Sequence, residues 1–304
     1  MIDKLIKLFN KKNKLPNLNR IYSVDYFLDK IHQQNFIENG YVVIKNSVEK
    51  SQISFLKDVY KQLELMNGFE LKNNFVNSGR FNDTKIRKFV VENIELFSKN
   101  NLKNLFNIQH CVVENGGNFQ IKPASKHSVL NPHQDSPIID ETTYYAVYIW
   151  IPLCDITLQN GPVWVLPKSH LWCNYQRSLN VKWTFENHHK LLWKYMQPIT
   201  LNAGDILCFD SALIHASSSN NTNKTRIAIT TTALPKNYQL VEYFKDEKTP
   251  ENKIEKYHVD QNYYINENIN ERPDDKFTFV GYENHIFNHI TSSQIKELIK
   301  KHQP

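Results

Sequence analysis

Two side chains that bind metals well, His133 and Asp135, flank a single residue in the run Asn131-Pro132-His133-Gln134-Asp135. In an extended strand residues i and i+2 point to the same face, so an imidazole and a carboxylate at this spacing can grip one cation. Two such ligands alone hold a transition metal weakly, and a third must come from elsewhere in the chain. His215 is the candidate: it follows Ile206-Leu207-Cys208-Phe209-Asp210 and Leu213-Ile214, roughly eighty residues downstream. A sheet that closes on itself would lay that strand beside the first. Two histidines and one carboxylate on one face of an octahedral ion leave three positions open for other ligands.

Arg226 heads the strand-like run Arg-Ile-Ala-Ile-Thr, eleven residues after His215. An arginine at the start of an apolar strand is costly to bury without an anion, and a bidentate carboxylate is the natural one. The same residues have plainer readings. His133 and Asp135 could form a surface salt bridge in a turn, His215 could be a buried structural histidine, and Arg226 could belong to a structural ion pair. His170 reads as a stabiliser of the turn after Pro167. His188-His189 looks like a second metal pair, but adjacent residues on a helix or strand face apart.

The elements that must position these groups follow from the apolar spacing. From residue 23 to 106 it is mostly helical, with Tyr26-Phe27-Leu28 and Ile31, then Ile53, Phe55, Leu56, Val59, Tyr60, Leu63 and Leu65. One strand, Tyr41–Ile44, interrupts it after the Asn39-Gly40 turn signal. The polar stretch 73–84 reads as a loop, and loops often carry function. Between 111 and 234 the pattern changes to short β-rich runs at 118–122, 144–153, 162–166, 199–201, 206–209 and 226–233. Turn residues at Asn160-Gly161-Pro162, Pro167, Ala203-Gly204-Asp205 and 217–223 separate them. Many short strands at this spacing predict a mainly β fold with flanking helices, a sandwich or jelly roll, rather than an alternating parallel sheet. The stretch 172–197, bearing Trp172, Arg177, Trp183, His188, His189 and Trp193, breaks the rhythm and reads as a lid-like insertion over the barrel mouth. Beyond Pro235 come strand-like pieces such as 277–280 and a last helix over 291–301, with Ser292-Ser293 as candidate caps.

With 304 residues, 40% apolar and 12% aromatic, the chain can bury a substantial core. No apolar run reaches the ~20 residues of a membrane helix, and the N-terminus lacks the marks of a signal peptide, so no stable membrane insertion and a cytoplasmic location are expected. Cys111, Cys154, Cys173 and Cys208 are irregularly spaced, which fits thiols rather than a disulfide frame. The net charge of +6 is concentrated partly in a lysine cluster over 1–15, with apolar residues at helical spacing. That stretch reads as an ordinary amphipathic first helix, with surface anchoring as the alternative. No nucleic-acid motif accompanies the charge, and no nucleic-acid partner is expected.

From Phe119 to Thr232 the chain resembles the phytanoyl-CoA dioxygenase family of Fe(II)/2-oxoglutarate-dependent oxygenases. The resemblance is carried by His133-Gln134-Asp135, Trp150-x-Pro152-Leu153, Asn160-Gly161-Pro162, Val165-Leu166-Pro167-Lys168-Ser169-His170, Gly204-Asp205-Ile206, His215-x-Ser217 and Arg226. A bare His-x-Asp is common by chance; the ordered set is specific. The resemblance implies a double-stranded β-helix, a cupin-like jelly roll, with Fe(II), 2-oxoglutarate and O₂ as the reacting set. His133, Asp135 and His215 would ligate the iron and Arg226 would pair with the distal carboxylate of 2-oxoglutarate. Ser217, Trp150 and Gln134 would help to seat that cosubstrate, with Lys122 less firmly matched. Lys168 departs from the glycine common in the family.

The expected organisation is a single domain over 1–304. It comprises a mostly helical support over 1–109, a core over 110–235 containing the 172–197 insertion, and a C-terminal extension over 236–304. The expected activity is hydroxylation of an unactivated C–H in a small molecule or a carrier-tethered acyl or aminoacyl group, with succinate and CO₂ as co-products. Desaturation or cyclisation on the same scaffold, or a non-catalytic metal-binding module, are the alternatives. Halogenation in this superfamily needs the carboxylate ligand replaced by Ala or Gly, and Asp135 is present. The sequence leaves the oligomeric state open.

Overall fold

The computed structural model describes residues 22–172, 176–285 and 290–302. The basic stretch 1–15 and Cys173 lie outside the described residues. Two antiparallel sheets form the centre. The major sheet has the order β1-β8-β5-β10-β3-β2, and its strands are β1 (Tyr41–Ile44), β2 (Val76–Asn77), β3 (Cys111–Lys122), β5 (Val147–Pro152), β8 (Ile206–Asp210) and β10 (Arg226–Pro235). The minor sheet, β4-β9-β6-β7, is built from β4 (Leu130–His133), β6 (Val163–Val165), β7 (Gln197–Ile199) and β9 (His215–Ser217). Strands β3 to β10 thus alternate between the two sheets, except that β6 and β7 both lie in the minor one, the winding of a double-stranded β-helix.

Period-two alternation sorts the major sheet into two faces. Val147, Ile149, Ile151, Ile206, Cys208 and Ile229 point outward and join the core beneath the N-terminal helices. Trp150, Leu207, Phe209 and Ala228 point into the barrel. Helix α1 (Lys30–Asn39) starts at Asp29, whose carboxylate accepts from the Ile31 N–H at 2.7 Å, and ends at Gly40 in the left-handed region. Helices α2 (Lys50–Glu64) and α3 (Thr84–Asn101) lay Ile53, Leu56, Val59, Leu63, Ile86, Val90, Ile94 and Phe97 on the outer face. Several apolar residues expected on helical faces are instead exposed: Leu28 precedes α1, Ile31 is 68% exposed and Leu65 is 86% exposed. The reason is that α1 buries only Gln33 and Phe36, with the Gln33 amide oxygen accepting from Tyr26 and Phe27 N–H groups.

The stretch beyond Pro235 is more ordered than its composition suggests. Strands β11 (Leu240–Phe244), β12 (Lys253–Val259) and β13 (Thr278–Asn284) form a third antiparallel sheet, with α5 (Gln261–Asn266) between the last two. It docks through Val241 N–H on the Ile138 carbonyl at 2.9 Å and a shared cluster containing Ile139, Ala146, Leu234, Leu240 and Tyr263.

The 172–197 stretch, which contains α4 (His189–Trp193), departs from the lid reading. Trp172, Phe185, Leu192 and Met196 pack with Leu166, Ile214 and the last helix, α6 (Ser292–His302), into a core of their own. Helix α6 is capped one residue earlier than expected: Thr291 Oγ1 accepts from Gln294 N–H while the Gln294 side chain accepts from Thr291 N–H. Among the described residues no helix is long and apolar enough to cross a membrane. Cys111, Cys154 and Cys208 are free thiols, and burial pushes Cys111 up to about 12.

Two turns of the sequence motifs have geometric causes. Lys168 sits at φ +65°, a conformation that glycine enters without strain, which accounts for glycine at the matching family position. Gly161 has φ +81°, and a β-carbon there would stand 2.4 Å from Lys122 Cδ and 2.8 Å from the Ser218 carbonyl oxygen. Gly161→Ala should therefore lower unfolding stability by roughly 1–3 kcal/mol, read as a reduced denaturant midpoint at unchanged slope. An unchanged midpoint would mean that the turn relaxes freely.

Candidate metal centre

The pairing of β4 with β9 brings the distant ligands together. His133 ends β4 and His215 begins β9, and the two are direct cross-strand partners with ring centroids 4.2 Å apart. Asp135 lies just past the end of β4 rather than within it, and its N–H donates to the Ser211 carbonyl at 3.2 Å. Its carboxylate faces both imidazoles: Oδ1 is 3.8 Å from His133 Nε2, and Oδ2 is 3.7 Å from His215 Nε2. Neighbouring ligands at ~2.1 Å from a shared octahedral ion stand about 3 Å apart, so a small side-chain rotation closes the set on one ion. Among the described residues His133, Asp135 and His215 are the group of metal-capable side chains that converges in this way.

The tautomers suit the task. His133 Nδ1 lies 2.8 Å from the Asn131 carbonyl and His215 Nδ1 lies 3.0 Å from the Leu213 carbonyl. A carbonyl only accepts, so each Nδ1 carries the proton and each Nε2 keeps its lone pair for a metal. Burial, and then the His215 ring, push the His133 imidazolium down to about 4 against the opposing pull of Asp135. The ring is thus neutral, as a ligand must be.

A salt bridge missed by sequence reasoning holds the Asp135 turn. Arg177 Nε donates to the Asp135 carbonyl at 2.8 Å, while its two terminal nitrogens grip the Glu141 carboxylate at 2.8 and 2.9 Å. Ser211 Oγ also donates to Glu141. Both charged side chains are nearly inaccessible, so this bidentate pair is a rigid strut under the ligand turn. Arg177 is therefore bound beneath the centre rather than free to close over it. Gln134 lines the cavity, but its amide is engaged, donating to the Ala212 carbonyl at 2.5 Å and accepting from Trp183 Nε1 at 3.0 Å. His188 contacts the Ile290 carbonyl, His189 stacks on Trp183, and His170 Nε2 meets the Ile37 carbonyl at 3.0 Å.

Arg226 and Ser217 share the cavity with the ligands, at the ends of β10 and β9. Arg226 is 1% exposed, its guanidinium lies 5.3 Å from the centre of the Trp150 ring, and burial pulls it down to about 10. Among the described residues no carboxylate pairs with it; NH1 makes a long contact of 3.4 Å with the Gln120 carbonyl, and Nε has no partner. Ser217 Oγ is likewise buried without a partner. A dehydrated cation beside an unsatisfied hydroxyl fits a carboxylate ligand. Lys122 does not line this cavity. Its buried Nζ donates to the carbonyls of Ser128, Ser217 and Ser218, at 2.5, 3.4 and 2.6 Å, and burial followed by the Arg226 charge lowers its pKa to about 6. It staples the approach to β4 onto the end of β9.

The cavity has a volume of about 430 Å³. Phe75, Asn77, Gly79 and Arg80 line one side, so the 73–84 stretch, which includes β2 and a short 3₁₀ turn, does reach the site. Gln120 and Thr230 also went unnoticed in the sequence. Trp150 Nε1 donates to Gln120 Oε1 at 3.1 Å, Gln120 Nε2 to Thr230 Oγ1 at 3.3 Å, and Thr230 Oγ1 to Asn118 Oδ1 at 2.9 Å, a polar chain that fixes the tryptophan wall. The alternating polar residues Asn118, Gln120 and Lys122 of β3 and Arg226, Thr230 and Thr232 of β10 were the available signal. If the Arg177–Glu141 strut aims Asp135, then Glu141→Gln should weaken anaerobic Fe(II) binding by ~10- to 100-fold in a titration while the chain stays folded. A wild-type isotherm would show that Asp135 is held without it.

Comparison with known proteins agrees with this geometry. A family model described as phytanoyl-CoA dioxygenase (PhyH) matches residues 36–228, from within α1 into β10, and includes His133, Asp135, His215 and Arg226. No curated protein gives a significant match. Among solved structures, the non-heme alpha-ketoglutarate-dependent carbocyclase SnoK from nogalamycin biosynthesis superposes with a TM-score of 0.51 at 15% identity, covering 70% of this chain and 86% of its own. EctD from S. alaskensis, solved with 2-oxoglutarate and 5-hydroxyectoine, gives a TM-score of 0.50 at 17% identity, covering 78% of this chain and 87% of its own. At such identities the likeness is one of fold. The family match spans well over half of the sequence, and the chain belongs to the phytanoyl-CoA dioxygenase family of non-haem iron, 2-oxoglutarate-dependent oxygenases.

Proposed function

We propose that this oxygenase hydroxylates an unactivated C–H bond of a small molecule, free or carried on a flexible arm, with succinate and CO₂ as co-products. The observation that carries the reading is the shared cavity: a three-ligand metal set and a buried arginine without a carboxylate partner among the described residues open into the same space. A volume of about 430 Å³ falls within the ordinary range for small-molecule sites and leaves no room for a folded chain or a duplex.

His133, Asp135 and His215 would hold Fe(II) through two neutral imidazole nitrogens and one carboxylate, leaving one face of the ion open. When bound, iron with 2-oxoglutarate supplies the oxidising power, drawn from O₂, that the protein's own side chains lack. Arg226 and Ser217 would fix the distal carboxylate of 2-oxoglutarate, and the Trp150 ring, locked by Gln120, would form the wall it lies against. The burial of this compartment excludes water and strengthens the charge-assisted contact. Arg80, exposed at the rim and without an acidic partner among the described residues, favours entry of anions such as the cosubstrate.

The two halves of this arrangement separate kinetically. Asp135→Ala should abolish succinate release because it removes an anionic ligand. Arg226→Ala should leave a functional metal site and raise KM for 2-oxoglutarate by about 10- to 150-fold, the worth of one charge-assisted contact. Succinate assays over a range of 2-oxoglutarate concentrations read both effects, and an unchanged KM in Arg226→Ala would move the cosubstrate anchor elsewhere.

A further inference from the structure

The end of the cavity away from Arg226 is walled by the third sheet and α5, which follow the family-matched span that stops at residue 228. Glu242 lies in this wall together with Tyr148, Thr232, Gln261 and Tyr264. It is the middle residue of β11 and is 7% exposed. Period-two alternation puts it on the face of Leu240 and Phe244, both in the apolar cluster that docks the third sheet. A carboxyl in the middle of a packing face is costly unless something pairs with it.

Three other buried acids have a cationic partner: Glu141 has Arg177, Asp205 has Lys45 at 2.9 Å, and Glu255 has Arg272 at 3.1 Å, while the Asp210 carboxylate accepts from the Ala212 N–H at 2.8 Å. Among the described residues no lysine, arginine or histidine pairs with Glu242. Its one hydrogen-bonding side chain is Tyr264, whose hydroxyl also lies 2.7 Å from the Val241 carbonyl oxygen and so divides its single proton between the two acceptors. Arg87 lines the same cavity, but its guanidinium is tied to the carbonyls of Glu267 at 2.8 Å and Asn266 at 3.4 Å, where it holds the end of α5 and so the helix that carries Tyr264. Tyr148, the cross-strand neighbour of Thr232, lines the cavity together with Asp135 and Glu242 and lies close enough to feel both charges.

We propose that this end of the cavity is a subsite for a protonated amine of the substrate, accepted by the Glu242 carboxylate on a wall shared with the Tyr148 and Tyr264 rings. The subsite rests on the oxygenase reading, since it places the substrate's far end while the metal ligands face its reacting end. Aromatic rings and a dehydrated carboxylate both favour an ammonium over a neutral group. Burial pushes Glu242 up to about 8, so the free acid is mostly protonated at neutral pH and must give up its proton when a cation arrives. Amine binding at pH 7 is therefore accompanied by proton release.

The test uses protein loaded anaerobically with Fe(II) and 2-oxoglutarate. Calorimetry measures the binding of n-propylamine through n-hexylamine against alcohols and carboxylates of matched length, in two buffers of different ionisation enthalpy. The expected result is that amines bind ~10- to 100-fold more tightly than the alcohols, with proton release, and that Glu242→Gln erases the preference while the visible iron–keto-acid band persists. Equal binding of amines and alcohols by the wild type overturns the subsite whatever becomes of the variant, and so does a preference that survives Glu242→Gln. Absence of the band in the wild type is a different failure, since it removes the oxygenase reading on which the subsite rests.

Discussion

The pairing of β4 with β9 is the constraint on which the structure depends. It sets His133 directly opposite His215, across more than eighty intervening residues, and it is short, with an irregularity between its two registered positions. So brief a ladder cannot hold two imidazoles by itself, and neighbouring groups fix it from several sides. β9 pairs along its other edge with β6, Ser169 Oγ accepts from Ile214 N–H at 2.8 Å, and Lys122 Nζ ties Ser128 to Ser217 and Ser218. The Arg177–Glu141 strut does the same for the Asp135 turn. Polar groups are usually a poor means of stabilising a core, but buried bidentate and multi-acceptor contacts specify geometry, and geometry is what a metal site needs.

The barrel interior shows the same priority. Its inward row along β10 reads Arg226, Ala228, Thr230, Thr232, where an apolar row would pack better. The outward row of the same sheet is aliphatic and carries the main core against α2 and α3. Stability is thus concentrated outside the barrel, which lets the inside keep an arginine and a glutamate that have no oppositely charged partner among the described residues. Both carry desolvation costs that a ligand of the right charge removes, and the two lie toward opposite ends of one cavity with the metal ligands lining it as well.

Much of this was legible in the sequence because it is local. Strand β1 was placed to the residue, most of the other core strands within a few, and His133, Asp135, His215, Arg226 and Ser217 meet in one cavity, where the family resemblance would bring them together. What escaped depends on contacts between distant segments. Arg177 read as part of the lid-like insertion because nothing nearby in sequence marks Glu141 as its partner. Lys122 read as a cosubstrate contact, whereas three carbonyls brought together by sheet closure claim its Nζ. The tyrosine-rich stretch after Pro235 read as an extension, since β11 and β12 are buried on both faces and β13 is mostly exposed, so none of the three alternates cleanly. That stretch supplies the far wall of the cavity, the part of the molecule that distinguishes this chain from the family span.

The central claim is that one cavity holds a metal on His133, Asp135 and His215 and the distal carboxylate of 2-oxoglutarate on Arg226. An anaerobic crystal structure with Fe(II) and 2-oxoglutarate tests it most directly. The account predicts one ion bound through the two Nε2 atoms and the Asp135 carboxylate, chelated by the keto-acid end of 2-oxoglutarate, whose other carboxylate lies within hydrogen-bond distance of the Arg226 guanidinium and Ser217 Oγ. Density for 2-oxoglutarate elsewhere, or an ion that omits any of the three ligands, would contradict it.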